Sequence, residues 1–307
     1  MGVKLIKNQM AEEINESNKQ EQKKRKKKSF KQRFIYSLKN SALHLLTFII
    51  SLLIFVIIIA TLICVSTSVI KTSNITTTVK DLSGIKMIQL SDFNNKTVKN
   101  LSKKINEINP NFVAITGDLV DAYKTTELDE DKLLNQFDNI KAPIYFIPGD
   151  MEHKYKNYEN LKEKMKEKGI IVLENSSEKI TVKGKDILIT GILDPSFYYE
   201  DLETFNTKLK ELKSDNSQIL LSHRAELMNL YAENNYECVL SGHTHGGYIQ
   251  IPFFGAIFAS NQGVRPQYVN GVYTKANTTM IVSRGIGVGQ FPFRLFNFGE
   301  ILSIHLN

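Results

Sequence analysis

The chain has 307 residues, 42% of them hydrophobic and 23% charged, which excludes a disordered or fibrous protein. Its net charge of +7 suggests an acidic partner, but residues 1–43 hold twelve Lys or Arg against four Glu, a balance of 12 − 4 = +8. The remaining 27 basic and 28 acidic residues sum to −1, so no nucleic-acid surface is expected on the folded part.

In chain order, the basic tail with "KKRKKK" at 23–28 comes first and is followed by "LLTFIISLLIFVIIIATLICV", residues 45–65. This uncharged run would span roughly 31 Å as a helix, about one bilayer core, and has no polar side. A single transmembrane helix over 44–70 is therefore expected, with 1–43 as a cytoplasmic tail against anionic lipid and the rest of the chain outside the cell membrane. Residues 71–84, "KTSNITTTVKDLSG", read as a polar linker to a domain over 85–307. Cys238 is the lone cysteine of that domain, so no internal disulfide can support it.

From residue 86 one pattern recurs: five to seven apolar residues, then an abrupt polar ending. "KMIQLSD" ends at Asp92, "NFVAITGD" at Asp118, "IYFIPGD" at Asp150, "QILLSH" at His223 and "CVLSGH" at His243. Helix-like stretches at 96–108, 157–168 and 201–213 lie between such runs. Buried strands alternating with amphipathic helices define an α/β fold, which places ligands at the carboxyl ends of its strands. Each Asp alone reads as a turn or cap residue. "SGHTHGG" at 241–247 is more specific, because two histidines two apart on an extended segment point the same way.

Asp92, "GDLVD" at 117–121, "GD" at 149–150, His223 and "GHTHGG", in that order after strands, resemble the calcineurin-like metallophosphoesterase superfamily. "SHR" and "SGHTHGG" resemble its membrane-anchored bacterial branch, over roughly residues 84–307 and including "VSRGIG" at 282–287. The resemblance implies two packed mixed sheets flanked by helices, an αββα sandwich, and a two-metal hydrolase. It assigns Asp92, Asn94, Asp118 and His245 to a first metal, and Asp118, Asp150, His223 and His243 to a second. Mixed imidazole and carboxylate donors suit manganese, iron or zinc. The implied substrate is a phosphodiester or pyrophosphate, lipid-linked by analogy with membrane-attached relatives.

Three departures from the family pattern bear on activity. Asn94 stands where the family has a histidine, and Asp150 stands where it has an asparagine. Met151 replaces the histidine that stabilises the transition state or protonates the leaving group. His153 is two residues on and is a candidate to swing into that gap; Arg284 of "VSRG" is a candidate phosphate contact. A catalytically weak phosphate-binding module of the same fold is the alternative function. The aromatic segments 251–258 and 291–298 are expected to pack in the core rather than form a lipid-contacting lip.

Overall fold

The computed structural model describes residues 2–125 and 128–307; Met1 of the basic tail lies outside them. The chain divides into two units, Met1–Thr61 and Leu62–Asn307. The first is one stretch of helix α1 (Gly2–Ser68), which carries the basic segment and the apolar run without a break. Leu46, Phe48, Phe55 and Ile58 are all exposed, as expected of a helix whose solvent is lipid. Among the described residues it is the one helix long and apolar enough to cross a membrane.

The second unit begins with the last turns of α1. Val69 alone separates Ser68 from strand β1 (Ile70–Thr77), which pairs in parallel with the last strand of the chain. The expected linker is therefore a strand over 71–77. Ile70 and Ile75 stand on opposite faces of this edge strand and pack against the outer and the inter-sheet apolar layers respectively, while Lys71, Thr72 and Thr76 are exposed.

Five further elements follow: β2 (Lys86–Leu90), α2 (Leu101–Ile108), β3 (Phe112–Thr116), α3 (Glu130–Asn135) and β4 (Ile144–Ile147). Next come α4 (Asp150–Lys154), α5 (Tyr158–Glu167), β5 (Ile170–Val172), β6 (Ser176–Val182), β7 (Lys185–Gly191) and α6 (Leu202–Leu212). Then β8 (Gln218–Arg224), α7 (Met228–Glu233) and β9 (Cys238–Gly242) lead to two small hairpins. These pair β10 (Gln250–Ile251) with β11 (Gly255–Ala256), and β12 (Phe258–Ala259) with β13 (Gly263–Val264). Strands β14 (Gly271–Lys275), β15 (Thr278–Val282) and β16 (Gly299–Leu306) complete the chain.

Two six-stranded mixed sheets result, in the orders β1-β16-β2-β3-β4-β5 and β14-β15-β9-β8-β7-β6. Strand alternation sorts the side chains into three apolar layers. Met87, Phe112, Ile189, Ile219 and Leu240 pack between the sheets. Ile88, Leu90, Val113 and Phe146 face the other way, onto Leu101 and Ile105 of α2 and Leu161 of α5. Leu220, Val239 and Met280 meet Phe205 of α6 and Met228 of α7. The αββα sandwich is thus observed. Strands β2, β3 and β4 of one sheet and β8 and β9 of the other end at the same margin of the sandwich, where the polar endings collect.

Candidate metal centre

The loops after β2 and β3 lock together first. Asp92 N–H donates to Gly117 O at 3.0 Å, and Asn94 N–H donates to Asp118 O at 3.0 Å. Across the sheets, His243 N–H donates to both oxygens of Asp92, at 3.1 and 3.2 Å. Five residues here have left-handed backbone: Asp92, Asn94, Asp118, His243 and His245. That conformation is uncommon outside glycine, and its concentration at one point marks a strained functional site. Gly117 allows a close approach, at φ +90°, since a Cβ there would lie 2.5 Å from His223 Nδ1.

His223 Nδ1–H donates to Thr116 O at 2.7 Å, which turns Nε2 towards the carboxylates. That Nε2 is 3.4 Å from both Asp118 Oδ2 and Asp150 Oδ1, and 3.1 Å from His243 Nδ1. His243 Nδ1 is in turn 3.2 Å from Asp150 Oδ1. One donor atom from each of Asp118, Asp150, His223 and His243 lies within 4.8 Å of the others, and all four residues are buried. Beside them, His245 Nε2 is 3.6 Å from Asp92 Oδ1. Asn94 Oδ1 and Asp150 Oδ1 are buried acceptors with no hydrogen-bond partner. Orphaned oxygens among clustered imidazoles and carboxylates fit divalent cations, and seven sequence-predicted residues converge here.

The electrostatics of the centre favour positive charge beside its carboxylates. Burial, with the charge of Asp118, lifts the Asp92 carboxyl to about 6 against the opposing pull of His223. Burial alone would lower His223 and His243, but the neighbouring carboxylates hold His223 well above its ordinary value and raise His243 as well. Burial also favours the neutral form of Asp150, which the close His223 and His243 rings outweigh, holding its carboxyl low. His245 goes the other way: burial and the Arg294 guanidinium hold it well below, neutral, with a lone pair free.

Three supporting residues escaped the sequence reading. Glu152 is fully buried and accepts from the N–H groups of Gly149, Asp118 and Val120 at 2.7, 2.8 and 3.1 Å, tying the third motif to the second. Arg294, also fully buried, donates to Gly287 O, His245 O and Arg284 O and fixes the histidine loop. A solitary cation inside "FPFRLFNF" was the available signal. Tyr248 stacks on His245 with centroids 5.1 Å apart.

Two expected contacts do not form. His153 is exposed and packs edge-on against Phe197, at 4.8 Å between centroids, away from Met151. The backbone N–H of Arg284 donates to Glu300 Oε1 at 2.8 Å, its Nε lies 3.9 Å from Oε2 of the same carboxylate, and it does not line the cavity at the centre. Met151 does line it, and its own N–H donates to Asp118 Oδ1 at 3.0 Å. A neighbouring pocket of about 160 Å³ shares Asn94, Met151 and Gln290 and adds Asp121, Tyr123 and Lys124.

Fold and site together define a metal-dependent hydrolase of the αββα type. Residues 85–247, more than half of the chain, match the family described as calcineurin-like phosphoesterase, and the chain belongs to that family of phosphoester hydrolases. It is similar to the uncharacterized metallophosphoesterase YkuE of Bacillus subtilis (strain 168), 29% identical over 227 residues, 71% of this chain and 77% of that one. A Campylobacter jejuni metallophosphoesterase is 30% identical over 212 residues, 67% of this chain and 53% of its own. A Danio rerio transmembrane protein with a metallophosphoesterase domain is 27% identical over 246 residues, 74% of this chain and 54% of its own. Against the last two, the match spans about half of the relative's length.

Proposed function

We propose that this protein is a membrane-anchored phosphoesterase that cleaves a phosphodiester or pyrophosphate bond with two divalent cations. The observation that carries the reading is the convergence of Asp118, Asp150, His223 and His243 on one point. These four would hold one cation, and Asp92, Asn94 and His245 would hold a second together with Asp118. When bound, the cations polarise phosphoryl oxygens and acidify water. Manganese, iron or zinc fits the donors; the harder Asn94 oxygen shifts its site towards manganese or magnesium.

The chain's own residues orient and hold. Thr116 O fixes the His223 ring, Glu152 clamps the second and third motifs, and the pocket beside Met151 receives the rest of the substrate, with Lys124 at its wall. Met151 supplies no proton, so the leaving group departs without help from that position. This favours leaving groups that are already good anions, as in a pyrophosphate. Met151 also supports a second reading, a phosphate-binding module with little turnover.

The bilayer run of α1 and the basic tail support a cytoplasmic N-terminus, with the tail on anionic lipid and the domain outside. Lipid-linked phosphoesters or pyrophosphates are then the accessible substrates. The test is hydrolysis of an aryl phosphodiester by the full chain in detergent with manganese, beside His243→Ala. Turnover lost in the variant supports the enzyme; equal signal from both proteins favours the binding module. Labelling of a cysteine introduced in the domain from outside the cell tests the orientation.

A further inference from the structure

The two aromatic segments do not fold away. In the β10–β11 hairpin Phe253 is fully exposed and Phe254 is 88% exposed, with Ile251 and Ile257 partly exposed beside them. Adjacent apolar side chains this open mark an interaction surface. Their position is fixed through a chain of hydrogen bonds. Gln250 N–H donates to Leu295 O at 3.0 Å, and Leu295 N–H donates to Tyr248 O at 3.1 Å. The next residues are tied to the end of α1: Phe296 N–H donates to Ser66 Oγ at 3.1 Å, and Arg294 N–H to Thr67 Oγ1 at 2.9 Å. The apolar run of α1 ends at Val65, so the segment carrying the hairpin is bonded to the residues that directly follow that run. Lys96 Nζ caps the same helix end at Thr67 O, 2.8 Å away.

Charge agrees with this placement. Between Glu237 and Glu300 the chain has no Asp or Glu, and its exposed cations are Arg265 and Lys275. Arg265 is joined to the hairpin region, its N–H donating to Ile257 O at 3.0 Å. The inner side of the same region reaches the metal centre: Tyr248, stacked on His245, contacts Phe291 at 4.9 Å between centroids and Ser260 Oγ at 3.2 Å.

We propose that the Phe253–Phe254 hairpin is a lip that inserts into the outer interface of the bilayer and seats the mouth of the metal centre against lipid headgroups. An apolar tip with cations and no carboxylates behind it suits an anionic membrane surface. The inference rests on the membrane reading of α1 and is independent of hydrolysis.

The chain contains no tryptophan, so an introduced one reports alone. The full chain carrying Phe254→Trp is reconstituted in phosphatidylcholine–phosphatidylglycerol vesicles, with or without brominated acyl chains. Ile54→Trp within α1 and Lys185→Trp at the amino end of β7 are made in parallel. Insertion predicts blue-shifted emission from Phe254→Trp, quenched by the bromines several-fold more than that of Lys185→Trp. Quenching of Ile54→Trp with none above Lys185→Trp at position 254 overturns the lip. Blue-shifted but unquenched emission that grows with protein density overturns it in favour of a second copy. Failure of Ile54→Trp to quench overturns the anchoring itself, and the lip with it.

Discussion

Lys154 Nζ stands 2.5 Å from Asp150 Oδ2, one turn along α4. Asp150 carries a negative charge where the family has a neutral asparagine, and Lys154 supplies the counter-charge within the same helix. The ammonium therefore competes with any cation at Asp150. Lys154→Met should tighten manganese binding about five-fold, a modest figure because the lysine is partly solvated and screened. Isothermal titration at constant pH checks it; unchanged or weaker binding would show that the pair has no hold on the site.

Metal binding should release protons. The carboxylates hold His223 well above and His243 above the ordinary histidine value, which favours protons on these imidazoles when no cation is bound. A cation must displace them, and apparent affinity should fall up to about ten-fold per pH unit for each proton released as pH drops. Titrations in two buffers of different ionisation enthalpy count the protons. In the same material, a chelator should lower thermal stability by about 2.7 kcal/mol relative to saturation at a hundred times Kd.

Met151→His should raise turnover of a poor-leaving-group phosphodiester by about 10²-fold, by restoring a proton donor beside Asp118. His153→Ala should leave turnover unchanged and cost no more than about 0.5 kcal/mol of stability, since His153 touches Phe197 on the exposed side. Steady-state kinetics of the two variants side by side separate the roles. A collapse of activity in His153→Ala would mean that α4 rearranges when substrate binds.

Arg224 holds Asp194 with two hydrogen bonds, at 2.7 and 2.9 Å, in the buried layer behind His223. Burial raises the Asp194 carboxyl, and the guanidinium more than reverses this, so its folded value is depressed. A depressed carboxyl contributes stability above its unfolded value of 3.8 and loses it as pH falls through the folded value below that. Asp194→Asn should cost about 3 kcal/mol at neutral pH, because it leaves a buried cation short of its counter-charge. Urea unfolding at pH 7 and pH 3 checks the sign: the gap between wild type and variant should narrow at low pH.

The metal centre was legible because its donors are scarce residue types placed where apolar runs stop. Asp92, Asp118, Asp150, His223 and His243 all stand at or just beyond the carboxyl ends of strands, and sequence records that placement directly. Strand β1 was hidden because an edge strand seated by one isoleucine on each face has the composition of a linker. His153 lies away from the gap beside Met151 for a geometric reason the sequence does not display: α4 is a helix, and two residues round a helix is about 200°. Phe253 and Phe254 read as core because sequence gives hydrophobicity without its direction.

The left-handed backbone at Asp92, Asn94, Asp118, His243 and His245 also bears on how the centre can change over generations. Outside glycine, Asn, Asp and His adopt that conformation more readily than other residues, while β-branched ones are barred by their own sterics. Drift at these positions is channelled into a small alphabet whose members nearly all carry a metal-donating atom. The exchange of histidine for asparagine at position 94 is a move within that alphabet. Sterics at these positions thus favour exchange of one donor type for another over loss of the donor.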